Sequence, residues 1–164
     1  MSLVVLILII LISTVAITAS KTQYKMAANL QFEDAAMNNA ETAINSAEFN
    51  LGTDWNVAGF TTYSSSTAEY HPIGHLAGLT APSNDPLTMT WDDSNSTVVA
   101  DSNQRYLVEQ LSTNNILLGS SQTTGGRSNS NCNKVNTYRI TARGASVSRG
   151  AVKFVQSIYS VLSC

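Results

Sequence analysis

The chain has 164 residues, enough for one modest hydrophobic core and too few for a two-domain cofactor enzyme. It is 43% hydrophobic but only 12% charged, and Ser, Thr and Asn fill about a third of its positions. A net charge of −2 on this neutral polar surface argues against a charge-steered nucleic-acid binder, while two Trp, six Tyr and several Val/Ile-rich runs argue against disorder.

Residues 1–20 carry no charge and are dominated by Leu, Ile and Val. Twenty helical residues span roughly 30 Å, the hydrocarbon thickness of a bilayer. Thr18, Ala19 and Ser20 offer small residues for signal cleavage, but only Met1 and Ser2 precede the apolar stretch, where a cleavable signal needs a basic segment. The segment therefore reads as retained, with Lys21 and Lys25 at the membrane surface.

The helical pattern continues beyond the apolar run. No Gly or Pro occurs before Gly52, so no backbone breaker interrupts a helix as far as about Asn50. Phe32, Ala36, Ala40, Ala43, Ala47 and Leu51 recur at spacings of four and three along one face, with Met37 and Ile44 widening it. Asp34, Glu41 and Glu48 repeat every seven residues on another face. The prediction is one helix of about fifty residues, hydrophobic over 1–25 and amphipathic over 26–51.

Residues 52–164 form the expected globular head. Its first part, 52–86, is punctuated by Gly, Ser and Pro and reads as a variable loop region. An antiparallel sheet is expected over 87–164, with β-branched and aromatic enrichment at Leu87–Trp91, Arg105–Leu111, Val135–Ala142 and Ala151–Leu162. Arg143 to Gly150 suits a hairpin connection, and Ser120 to Asn133 is a polar loop. The fold class is α+β, the Ala-rich face of the long N-terminal helix covering the sheet.

Charge is divided along the chain. Residues 26–104 hold ten acids and no base, whereas 105–164 hold seven bases and only Glu109. Such a dipolar subunit suits head-to-tail contact with copies of itself; equally, the two halves can neutralise each other within one fold. The intersubunit reading sets Asp34, Glu41 and Glu48 against Arg139, Arg143, Arg149 or Lys153 of neighbours, and the alternative is a solvated acidic face. The two cysteines, Cys132 and Cys164, are an even count, which in an exported chain favours a disulfide over two free thiols.

Reactive chemistry is sparse. His71 and His75 are four residues apart, but Pro72 and Gly74 break the helix a metal pair would need. Asp92-Asp93-Ser94-Asn95 lacks the Gly and distal Glu of a calcium loop and reads as a solvated turn. Tyr24 and Phe32 are explained by packing, and Asn95-Ser96-Thr97 is a formal glycosylation acceptor. No nucleophile motif, phosphate loop or haem attachment motif occurs, so neither enzymatic activity nor a cofactor is expected.

Three stretches carry a family resemblance: Ser2-Leu3-Val4-Val5-Leu6, Gln23 to Leu30 with Ala40-Glu41-Thr42-Ala43, and Tyr138 to Gly144 with Gly150-Ala151-Val152 and Gln156 to Tyr159. Together they resemble PilX-type pilins of the type IV pilus system, over about the first fifty and last thirty residues. The resemblance implies a ladle-shaped pilin, its hydrophobic helix in a filament core and its sheet outside, with a C-terminal region closed by Cys132 and Cys164. It implies partners as well: other copies in a helical filament, the pilus assembly machinery, a prepilin peptidase before maturation and the inner membrane before assembly. With Met1 read as the mature first residue, already processed and open to methylation, Met1, Ser2, Leu3 and Val5 form the assembly terminus. Pilins usually carry Glu at the fifth position, where this chain has Val5. Minor pilins that lack this Glu are associated with filament initiation or tips.

The functional expectation is a structural subunit of an extracellular pilus serving attachment, motility, aggregation or DNA uptake. The alternative is a membrane-anchored or secreted binding domain, such as an adhesin, that uses residues 1–20 only as anchor or signal.

Overall fold

A computed structural model describes residues 2–53, 70–73, 76, 85–116, 134–147 and 150–163. Helix α1 runs unbroken over Ser2–Thr53. Its hydroxyl side chains within the apolar half turn back on the helix: Ser13 donates to the Ile9 carbonyl at 2.8 Å, Thr14 to Leu11 at 2.9 Å and Thr18 to Val15 at 2.8 Å. These bonds satisfy the hydroxyls locally, so the helix keeps an apolar exterior despite its Ser and Thr.

Among the described residues five strands follow: β1 (Tyr70–His71), β2 (Thr97–Val98), β3 (Gln104–Ile116), β4 (Lys134–Ala145) and β5 (Val152–Ser163). The sheet order is β1-β3-β4-β5, with β2 also pairing β3. β3, β4 and β5 form an antiparallel meander, joined at its last turn by the Ser146 amide bonded to the Ala151 carbonyl. Tyr106, Val108, Tyr138, Ile140 and Ala142 point to the helix, where Ala43, Ile44, Ala47 and Leu51 complete the core.

The alternation that sends these side chains to one face places Gly144 on the same face. A Cβ built there would overlap the Ala36 carbonyl oxygen and the Ala40 amide nitrogen and lie 3.0 Å from the Ala40 Cα. Ala36, Ala40, Ala43 and Ala47 are fully buried because the sheet approaches the helix so closely. Asn39 fixes the lower end of this contact, its amide donating to the Ala145 carbonyl at 2.7 Å and accepting from Gln104 at 3.0 Å. At the upper end Asn50 donates to the Tyr106 hydroxyl at 2.9 Å.

Three sequence expectations need correction. Leu87–Trp91 is not a strand, because residues 85–90 fold into turns. Asp85 accepts from the Leu87 amide at 2.9 Å through its side chain, and its carbonyl takes the Thr88 and Met89 amides. These local bonds outcompete sheet pairing, and the Trp91 indole closes back onto the Pro86 carbonyl at 2.8 Å. The sheet is mixed rather than wholly antiparallel, since β1 pairs β3 in parallel and comes from the region expected to be loop. Finally, β3 and β4 run further than expected, to Ile116 and from Lys134 to Ala145, past register shifts between Gln110 and Asn115.

Candidate assembly surface

The most distinctive surface belongs to the first half of α1. From Leu3 to Ile17 every large apolar side chain is exposed, from 48% at Ile7 to 69% at Ile12, and the helix is long and apolar enough to cross a membrane. Such a bare apolar cylinder demands a cover of lipid or protein, because its exposure to water costs about 25 cal/mol per Å². Ser2, Leu3 and Val5 lie in the first turns of this cylinder, whereas Met1 lies outside the described residues. Lys21, Tyr24 and Lys25 follow on exposed positions.

Above them, the charged side chains divide by the face they occupy. Glu33, on the flank of α1 nearest β5, meets Lys153 at 3.0 Å. Glu48 accepts from Ser157 at 2.9 Å. Asp34 and Glu41 are exposed, with no hydrogen bond or ion pair among the described residues.

The opposite face of the sheet carries a second group of charges. β3–β4 register sets Glu109 against Arg139 and Arg105 against Arg143. Glu109 is buried, forms an ion pair with Arg139 and also accepts from the Leu76 amide at 3.3 Å. Arg105 reaches Asp93 at 2.8 Å and Ser96 at 3.3 Å. Arg143 is only half-buried, yet burial first and the adjacent Arg105 guanidinium second press its pKa below the ordinary arginine value. Trp91 lies over this face against Phe154, with ring centroids 5.9 Å apart.

Of the sequence-derived candidates for intersubunit charge contact, Glu48, Arg139 and Lys153 thus have partners within their own chain, while Asp34, Glu41 and Arg143 have no hydrogen-bond or ion-pair partner among the described residues. Arg149 lies outside the described residues, and so do Cys132 and Cys164 with their expected disulfide. Sequence reading missed Glu33, Glu109 and Gly144. A pointer to Gly144 existed in the sequence, a glycine between Ala142 and Ala145 in an otherwise β-branched stretch.

The remaining chemistry is structural. Asp92 accepts both the Ser94 amide, at 2.9 Å, and the Ser94 hydroxyl, and these bonds hold its pKa below the ordinary carboxylate value. His71 is buried on β1 beside Glu109, its Nε2 within 3.0 Å of the Asn95 carbonyl, and His75 lies outside the described residues. No group of three metal-ligating side chains occurs among the described residues. An open groove of about 470 Å³ runs between α1 and β2, lined by Phe49, Asn50, Val98, Val99 and Tyr106 among others.

A family model described as type IV pilus assembly protein PilX C-term matches residues 29–161. No curated protein and no solved structure matches the chain. The match spans the amphipathic half of α1 and nearly all of the sheet, and the architecture of one long N-terminal helix on a C-terminal sheet is pilin-like. The chain therefore belongs to the PilX family of type IV pilus assembly proteins.

Proposed function

We propose that this protein is a non-enzymatic structural subunit of a type IV pilus that enters the filament through the apolar half of α1. The observation that carries this reading is the bare cylinder from Leu3 to Ile17, joined without a break to a helix half that is packed on a folded head. Before assembly the segment lies in the inner membrane, with Lys21 and Lys25 at its surface and a prepilin peptidase acting on the precursor. Extraction strips lipid from it, and the same apolar surface is then covered by equivalent helices of other subunits. Moving from hydrocarbon to a helix bundle is nearly neutral in hydrophobic terms, so the assembly machinery needs to supply only a modest driving force.

In the filament the head lies outside, and its Ser/Thr/Asn-rich surface meets the surroundings. A Cys132–Cys164 disulfide closes the C-terminal region of this extracellular head, adding about 3 to 4 kcal/mol of stability. Attachment, aggregation, motility and DNA uptake are the roles such a surface serves. Immunogold labelling of surface fibres with an antibody to the head tests the proposal: labelled fibres support it, whereas signal restricted to the cell envelope favours a membrane-anchored binding domain.

A further inference from the structure

The charged residues of α1 that the head leaves unused are Lys21, Lys25, Asp34 and Glu41. All four are exposed and have no ion pair or hydrogen bond through their charged groups among the described residues. Their angular placement is informative. Lys25 and Asp34 are nine residues apart, two and a half turns at 3.6 residues per turn, so they lie on opposite sides of the helix, about 180° apart. The other base–acid pairings fall within about 40° of that opposition. One side of α1 is therefore basic low down, and the opposite side is acidic higher up.

Resting on the filament reading, we propose that α1 packs beside α1 of a second copy with the basic side of one helix against the acidic side of the next, Lys25 facing Asp34. A two-fold contact cannot make this pairing, because it presents the same side of both subunits to each other and would set bases toward bases. Side-to-opposite-side contact is heterologous and leaves the pair with one unused basic flank and one unused acidic flank, on different helices, so the contact repeats without closing.

Height along the helix fixes the offset. Parallel helices without a displacement would set Lys25 level with the neighbour's own Lys25 and otherwise beside uncharged residues, since none of residues 22–24 and 26–32 is charged. Displacement by nine residues, about 14 Å at 1.5 Å per residue, brings Lys25 level with Asp34. The same displacement brings the exposed Met26 of one copy level with the exposed Ile17 of the next, so an apolar pair is matched along with the charge pair. Pairing with Glu41 instead needs about 24 Å and leaves the two apolar halves with little overlap. On the sheet Arg139 and Lys153 are already engaged and Arg143 is half-buried beside Arg105 on the face away from α1, so the acid's partner is placed on the neighbouring helix.

Reciprocal charge exchange tests the proposal in cells producing the full chain, with the chain's level in membranes measured alongside. Lys25→Glu and Asp34→Lys alone are each expected to lower the chain recovered in sheared fibres by about fivefold or more, the equivalent of one lost surface pair turned repulsive. The doubly exchanged chain is expected to return to the unmodified yield. Bridging of a Lys25→Cys/Asp34→Cys chain in fibres by a short bismaleimide is expected to give a ladder of multimers beyond the unmodified chain's background. Single exchanges that leave the yield unchanged, a double exchange without recovery, or bridging that stops at dimers would overturn the pairing while leaving the filament reading intact. Absence of the unmodified chain from fibres would overturn both.

Discussion

Gly144 on β4 lies directly against the backbone of Ala40 on α1, leaving no space for a side chain between strand and helix. This contact sets the distance between the two layers of the head, and the fully buried Ala36, Ala43 and Ala47 follow from it. Backbone on both sides means that neither partner can move aside without shifting an element.

Gly144→Ala is therefore expected to destabilise the protein by about 3 kcal/mol or more, at the upper end of overpacking costs. Gly52→Ala provides the contrast, since a Cβ there meets only the Tyr159 hydroxyl at 3.5 Å, an ordinary contact. Near the end of a helix it is expected to be neutral or to gain a few tenths of a kcal/mol. Denaturant midpoints of the full chain in detergent distinguish the two.

Glu109 and Arg139 are a cross-strand pair with the carboxylate buried. Glu109→Ala strips Arg139 and the Leu76 amide of their acceptor and is expected to cost about 3 to 5 kcal/mol. Replacing both charges, as in Glu109→Leu with Arg139→Met, is expected to recover much of that loss. A double-mutant cycle on unfolding free energy measures the coupling.

Lys153 and Glu33 join β5 to α1 across an exposed surface. Water and salt screen such a pair, so Lys153→Ala is expected to cost less than about 1 kcal/mol, shrinking as ionic strength rises. The same unfolding measurement at low and high salt checks this.

Tyr138 is buried in the core, and burial raises its hydroxyl pKa above the ordinary value of 10.0 despite the opposing hydrogen bonds of Asn136 and Gln110. Because the folded pKa exceeds the unfolded one, this contribution to stability is full below pH 10 and is lost as pH rises through the folded value. Stability is expected to fall above pH 10 in the unmodified protein and to fall less steeply in Tyr138→Phe. Unfolding curves at several alkaline pH values test the difference.

Much of this architecture was legible from residue order. Helix α1 could be read because no Gly or Pro precedes Gly52 and because Phe32, Ala36, Ala40, Ala43 and Ala47 keep the helical spacing of a buried face. The three long strands announced themselves by β-branched enrichment. Leu87–Trp91 has the composition of a strand but follows Asp85-Pro86, whose local hydrogen bonds decide the conformation. Partners far apart in sequence were not legible: Glu33 with Lys153 and Glu109 with Arg139 depend on how the sheet docks and on β3–β4 register. The assembly helix was legible as a lone apolar run, whereas the division of its acids into engaged and unengaged groups required the docked head.

The most direct test of the central claim, that the apolar half of α1 enters a filament, is the intact mass of this chain recovered from washed, sheared surface fibres. The expected result is a chain that retains the apolar segment through Ser20 and remains in the fibre fraction. A chain beginning near Lys21, or one found only in soluble or membrane fractions, would contradict it.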